Sequence, residues 1–217
     1  MVEAVVFDLD GVLLDSEQLW SDAKEQLVHE RGGMWPDDAT RTMMGMSSRE
    51  WSRYLHDELH VDMTPDAISA AVVERLEALY RERLPLLPGA TEAVESLAAR
   101  WRLGLATSSN PEIIDLFLEL ADLGRFFEVT VSSEEVPRGK PAPDVYLEAA
   151  RRLGVAPAHC VAIEDSTNGL RAAAAASMSV VAVPNPHFPP EPDALRLAAV
   201  VLDSLLELRP EVVERLD

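Results

Sequence analysis

The chain has 217 residues, 47% of them hydrophobic, and its 38 Asp and Glu against 19 Lys and Arg leave a formal net charge of -19. That length suits one compact domain with a smaller insertion, and the acidic excess excludes a general binder of nucleic acid or anionic membrane, since such surfaces need clustered basic residues. A single cysteine, Cys160, excludes a disulfide framework and a multi-cysteine zinc site.

The first predicted element is the apolar run VVFDL (5–9), a buried strand that ends on Asp8, Asp10 and Gly11. In an extended chain residues two apart project to the same face, so the two carboxylates enter one space. Gly11 permits a left-handed turn beside them. Like charges so close are costly unless a cation binds them.

From about Asp15 to Leu87 no strand is evident; instead LWSDAKEQLVHERG (19–32), SREWSRYLHDEL (48–59) and PDAISAAVVERLEALYRERL (65–84) read as helices. The interval is too long for an ordinary crossover. We expect a helical subdomain over 15–87, inserted into a core made of 1–14 and 88–217. PLLPG (85–89) returns the chain to that core.

There, the apolar runs LGLAT (103–107), VTVSS (129–133), CVAIE (160–164), VVAV (180–183) and AVVL (199–202) alternate with helical patterns at 91–100, 111–121, 143–154 and 168–177. Strands alternating with helices predict an α/β fold with a doubly wound, Rossmann-like parallel sheet. Ligands of such a sheet bind beyond the carboxyl ends of its strands.

Three further stretches fall at those ends. Thr107 and Ser108, followed by Ser109 and Asn110 before Pro111, offer hydroxyls and free N–H groups at a helix start; they are either an ordinary cap or a cradle for an anion. Lys140 lies in RGKPAPD, stiffened by prolines. It is one of only two lysines, with Lys24, among the 19 basic residues. Glu164 and Asp165 end CVAIE, where they cap the next helix or join Asp8 and Asp10 in an oxygen-rich Mg2+ site.

FDLDGVLLDSE, LATSSN, GKPAPDVY and IEDSTNG, in that order and with helices inserted after the first, resemble the haloacid dehalogenase (HAD) superfamily. Within it they look like the β-phosphoglucomutase and sugar-phosphatase branch, which carries a small helical cap. The resemblance implies that Asp8 is a nucleophile forming an aspartyl-phosphate and Asp10 the general acid and base. It implies that Thr107, Ser108 and Lys140 hold the phosphoryl oxygens. Mg2+ would be held by Asp8, Asp165 and the backbone carbonyl of Asp10, with Glu164 supporting it.

The resemblance also points to Glu17, Trp20 and Arg49 as cap residues facing the substrate, although Arg49 serves equally as a solvated helix residue. The mutases of the branch carry a histidine where this chain has Trp20. The expected activity is therefore Mg2+-dependent hydrolysis of a small sugar or polyol phosphate, with a phosphosugar mutase as the alternative. The N-terminus shows no basic segment ahead of an apolar run, and no run approaches the roughly 18 apolar residues of a membrane span. The expected partner is a small phosphorylated metabolite, with no nucleic acid and no membrane, for a cytoplasmic monomer.

Overall fold

A computed structural model describes residues 1–216. In chain order the elements are β1 (Ala4–Phe7), α1 (Glu17–Glu30), α2 (Ala39–Met43), α3 (Ser48–Asp57), α4 (Pro65–Glu82), α5 (Ala90–Ala98), β2 (Arg102–Thr107), α6 (Pro111–Ala121), β3 (Phe127–Ser132), α7 (Asp144–Leu153), β4 (Cys160–Glu164), α8 (Thr167–Ala175), β5 (Ser179–Ala182), α9 (Pro192–Leu195), β6 (Val200–Val201) and α10 (Pro210–Glu214). The short α2, α9 and α10 carry too few turns to show a period in sequence, and all three escape the sequence reading.

The six strands form one sheet in the order β3-β2-β1-β4-β5-β6, every pair parallel. The strand order reverses between β1 and β4, with Val5 opposite both Leu103 and Val161. This switch point opens a crevice at the carboxyl ends of the two strands.

Alternation along the strands divides the core. Val5, Phe7, Leu103, Leu105, Val161 and Ile163 face α5 and α6 on one side. On the other, Ala4, Val6, Ala106 and Ala162 face the alanine-rich α7 and α8, where small side chains let the helices approach closely.

Helices α1 to α4 leave the core after β1 and return before α5. Their two connections run side by side: Asp15 N–H donates to the Pro85 carbonyl at 2.8 Å and Leu87 N–H to the Leu13 carbonyl at 3.0 Å. Within the insertion, α4 starts on Thr64, whose hydroxyl accepts from Ala67 N–H, with Pro65 in the first turn. Its apolar face, Ile68, Val72, Leu76 and Tyr80, is buried together with Leu27 of α1 and Leu55 of α3. No described helix is long and apolar enough to cross a membrane.

Candidate active site

β1 ends at Phe7, so Asp8 is the first residue beyond the strand, anchored by its N–H to the Ile163 carbonyl at 3.0 Å. The chain then turns through Gly11, at φ +78°, whose N–H donates to the Leu14 carbonyl. A Cβ on Gly11 would strike the carboxylate of Asp165. Glycine is therefore needed both for the turn and for the approach of the two motifs.

Lys140 is buried, and its ammonium joins two carboxylates: Asp8 Oδ1 at 2.9 Å and Glu164 Oε1 at 2.6 Å. Burial pulls this lysine down, but Asp8 and Glu164 outweigh it and hold it above its ordinary value. Glu164 is fully engaged. Its Oε1 also accepts from Tyr146 hydroxyl at 2.7 Å, and its Oε2 from the N–H groups of Asp165 and Ser166 and the Ser166 hydroxyl. In this geometry it shares the Lys140 ammonium with Asp8. Tyr146, which sequence reasoning missed, completes the support from inside α7.

Asp165 is the opposite case. It is fully buried, and neither oxygen of its carboxylate has a hydrogen-bond partner. Burial, Glu164, Glu17 and Asp8 push its carboxyl well above the ordinary range. Asp8, Glu164 and Asp165 bring one oxygen each within 4.8 Å of one another. A buried pair of unused oxygens beside a second carboxylate is a donor set suited to a hard cation such as Mg2+. The residues present fit that ion.

Asp10 lines the same crevice but takes other partners. Its Oδ1 accepts from Ser16 hydroxyl at 2.5 Å and from Trp20 Nε1–H at 2.9 Å. Its Oδ2 accepts from the Ser109 hydroxyl and lies 3.5 Å from Thr107 Oγ1. Asp8 and Asp10 enter one crevice, as expected, but bond different groups there, because the turn at Gly11 brings Asp10 to donors on α1 and after β2 while Asp8 meets Lys140. Two neighbouring carboxylates receive different surroundings. Burial pushes Asp8 up to about 8 against the opposing pull of Lys140, while Asp10 sits in a ring of donors.

Asp8, Asp10, Glu17, Trp20, Thr107, Ser108 and Lys140 all line one crevice with a free volume of about 60 Å3, room for only a few waters. The insertion forms its roof. Ser108 hydroxyl donates to the Gly45 carbonyl at 3.0 Å and Asn168 amide to the Met44 carbonyl at 2.9 Å, tying the loop after α2 to the core. Arg49 is the candidate that the structure does not bring in. It lines a neighbouring cavity with Ser48, Asn110 and Glu134, because its place one residue into α3 turns it outward from the crevice.

Trp35, Trp51 and Lys24 line the crevice and were missed by sequence reasoning. A signal existed for Lys24. The only two lysines of the chain both point into this crevice.

A model of the haloacid dehalogenase-like hydrolase family matches residues 2–177. The chain belongs to the haloacid dehalogenase-like hydrolases. Hexitol phosphatase B of Escherichia coli (strain K12) is 38% identical over 94% of this chain and 93% of that protein. A probable pseudouridine-5'-phosphatase of Drosophila melanogaster is 35% identical over 95% of this chain and 91% of that protein. Among solved structures, CbbY from Rhodobacter sphaeroides in complex with phosphate superposes with a TM-score of 0.83 at 30% identity, covering 96% of each chain. This HAD chain is thus an enzyme of the hydrolase family, with phosphatases among its relatives.

Proposed function

We propose that this HAD hydrolase is a Mg2+-dependent phosphatase that cleaves a small sugar or polyol phosphate through an aspartyl-phosphate on Asp8. The observation that carries the reading is the division of labour around Asp8: Lys140 on one of its sides and the unpartnered Asp165 carboxylate on another, with Asp10 held apart. Asp8, Asp165 and the Asp10 backbone carbonyl would hold the ion. Bound there, Mg2+ supplies positive charge that keeps Asp8 ionised and offsets charge on the phosphoryl oxygens.

The chain's own residues perform the steps. A carboxylate oxygen of Asp8 attacks phosphorus, and the bond from phosphorus to the ester oxygen breaks as Asp10 gives its proton to the leaving alcohol. Lys140, Thr107 and the N–H groups after β2 bind the transferring oxygens. Water then attacks phosphorus, Asp10 takes its proton, and the bond to Asp8 breaks, restoring both carboxyls. The hydroxyls of Ser16 and Ser109 suit both states of Asp10, since a hydroxyl rotates between donor and acceptor. The insertion acts as a cap. Closure of the cap over the crevice would expel water before chemistry.

The test is phosphate release from a panel of sugar, polyol and nucleoside monophosphates with and without Mg2+. Release is expected to need the ion, to vanish in Asp8→Asn and to fall about 10²–10⁴-fold in Asp10→Ala. Conversion of β-glucose 1-phosphate to glucose 6-phosphate without free phosphate would instead assign a mutase. Full turnover by Asp8→Asn would remove the covalent mechanism.

A further inference from the structure

Glu17, Trp20, Ser21 and Lys24 share one face of α1 at helical spacing, and all four line the crevice. Trp20 and Ser21 have partners, Asp10 and Thr40. The two charged residues do not. Among the described residues, the Lys24 ammonium makes no ion pair and no hydrogen bond, although the residue is only 8% exposed. Its neighbours are the ring faces of Trp20, at 5.2 Å, and Trp51, at 4.9 Å. Glu17, half-buried, likewise has no hydrogen-bonded or ion-pair partner among those residues.

A buried ammonium has three donors to satisfy and a buried carboxylate several acceptor sites. Among the described residues these two form no ion pair with each other, although they share one face of α1. Seven residues along a helix separate their backbone positions by about 10 Å, the scale of a short hydroxylated chain. Each nevertheless feels the other: burial lowers Lys24 to about 8 while Glu17 opposes that shift, and burial and Asp10 raise Glu17 to about 7 while Lys24 opposes.

Resting on the phosphatase reading, we propose that Glu17 and Lys24 form the leaving-group subsite, binding the hydroxyls of a neutral polyol chain between them and rejecting a second anionic group. Three observations fix that class. With both groups ionised the pair sums to zero charge, so an additional phosphate or carboxylate near Lys24 would also meet Glu17 and Asp10. A carboxylate acceptor and an ammonium donor on one wall match successive hydroxyls, which serve as donor and acceptor alike.

The third is aromatic geometry. A nucleobase needs a free ring face. Here the indoles of Trp20 and Trp51 lie edge to face, with centroids 6.1 Å apart and planes at 63°, and Lys24 stands over one face of each. They leave an apolar wall for the C–H side of a polyol and no parallel slot for a base.

The experiment measures kcat/KM for glucitol 6-phosphate, phenyl phosphate, fructose 1,6-bisphosphate and uridine 5'-monophosphate in the wild type, Lys24→Met and Glu17→Gln. Glucitol 6-phosphate is expected to lead in the wild type. Lys24→Met should lower its ratio to phenyl phosphate at least tenfold, because a site built to bond hydroxyls loses discrimination once the bonding group is gone. Glu17→Gln should raise the bisphosphate relative to the monophosphate.

Equal proportional losses for both monophosphates in Lys24→Met, or a wild type that prefers the bisphosphate or the nucleotide, would overturn the subsite. Absence of turnover on every ester would remove the phosphatase reading alone. The subsite is then decided by thermal shift with Mg2+: glucitol 6-phosphate should stabilise the wild type more than inorganic phosphate does, with the difference lost in Lys24→Met, and no such difference overturns it.

Discussion

The Lys24 ammonium lies against indole faces with no carboxylate bonded to it, and burial lowers it to about 8 from an ordinary 10.5, with Glu17 and Asp10 opposing. Each pKa unit corresponds to about 1.4 kcal/mol, so replacing this charge by an apolar side chain of similar length removes a penalty of up to about 3 kcal/mol. Lys24→Met is therefore expected to be more stable than the wild type at pH 7, by several degrees in Tm, even as it loses selectivity. The sign with pH follows from linkage. Below about pH 8 the lysine is protonated in both folded and unfolded states and the penalty is whole. Between about 8 and 10.5 the unfolded chain binds a proton that the folded chain does not, so wild-type stability gains on the variant and the gap closes. Thermal melts of both proteins at pH 7 and pH 10 check this; a wild type that is the more stable at pH 7 would show that the two tryptophans compensate the charge in full. The residue was legible in the sequence only as a rarity. Scarcity of lysine singled out Lys140 and Lys24 equally, but Lys140 sat among turn formers at a strand end, whereas Lys24 sat in a helix where a charged residue is ordinarily solvated.

At the scale of elements, the ends of β1 and β4 are brought together by a parallel register of uninterrupted apolar residues, with Phe7 opposite Ile163, so this part of the fold could be read directly from short apolar runs. What the sequence does not carry is how two strand ends share space. Gly11 illustrates it: the turn was legible, but the contact with Asp165, 154 positions away in the chain, was not. Gly11→Ala is expected to act in two ways, through the left-handed backbone, about 1–2 kcal/mol, and through displacement of the Asp165 carboxylate. Gly154 at the end of α7 separates them, because it has φ +68° and nothing within 4 Å of an added Cβ. Both alanine variants should lose a few degrees of Tm. Only Gly11→Ala should raise the Mg2+ concentration for half-maximal activity, by at least tenfold, in a titration of initial rate against the ion. Equal Mg2+ dependence in the two variants would mean that Asp165 is not a ligand. Arg49 marks the same boundary from the other side: the motif around it was legible, but whether it faces the crevice or its neighbour depends on how α3 packs on α4, a tertiary choice that spacing along one helix leaves open.

For the whole molecule the decisive quantity is the net charge of -19, which sets a repulsive field for any phosphate dianion approaching from a distance. Near the crevice the balance changes, since Lys140 and Lys24 are both directed inward while the remaining basic residues are arginines. Exposed arginines such as Arg102 and Arg138, and the half-buried Arg171, are paired with carboxylates, so they add little to the far field. Attraction is thus local and repulsion is long-ranged, and salt acts on the two unequally. At 10 mM ionic strength the Debye length is about 30 Å, on the order of the molecule itself, while at 0.15 M it is about 8 Å. Screening removes the distant repulsion and leaves the buried contacts to Lys140 nearly intact. The expected outcome is that kcat/KM for a phosphate monoester rises severalfold between 10 and 150 mM KCl at saturating Mg2+, with kcat changing much less because the closed crevice excludes the salt. Initial rates at a series of KCl concentrations measure it. A monotonic fall would mean that the two inward lysines and the bound cation dominate the field even outside the crevice, and that substrate is steered to the site in spite of the surface charge.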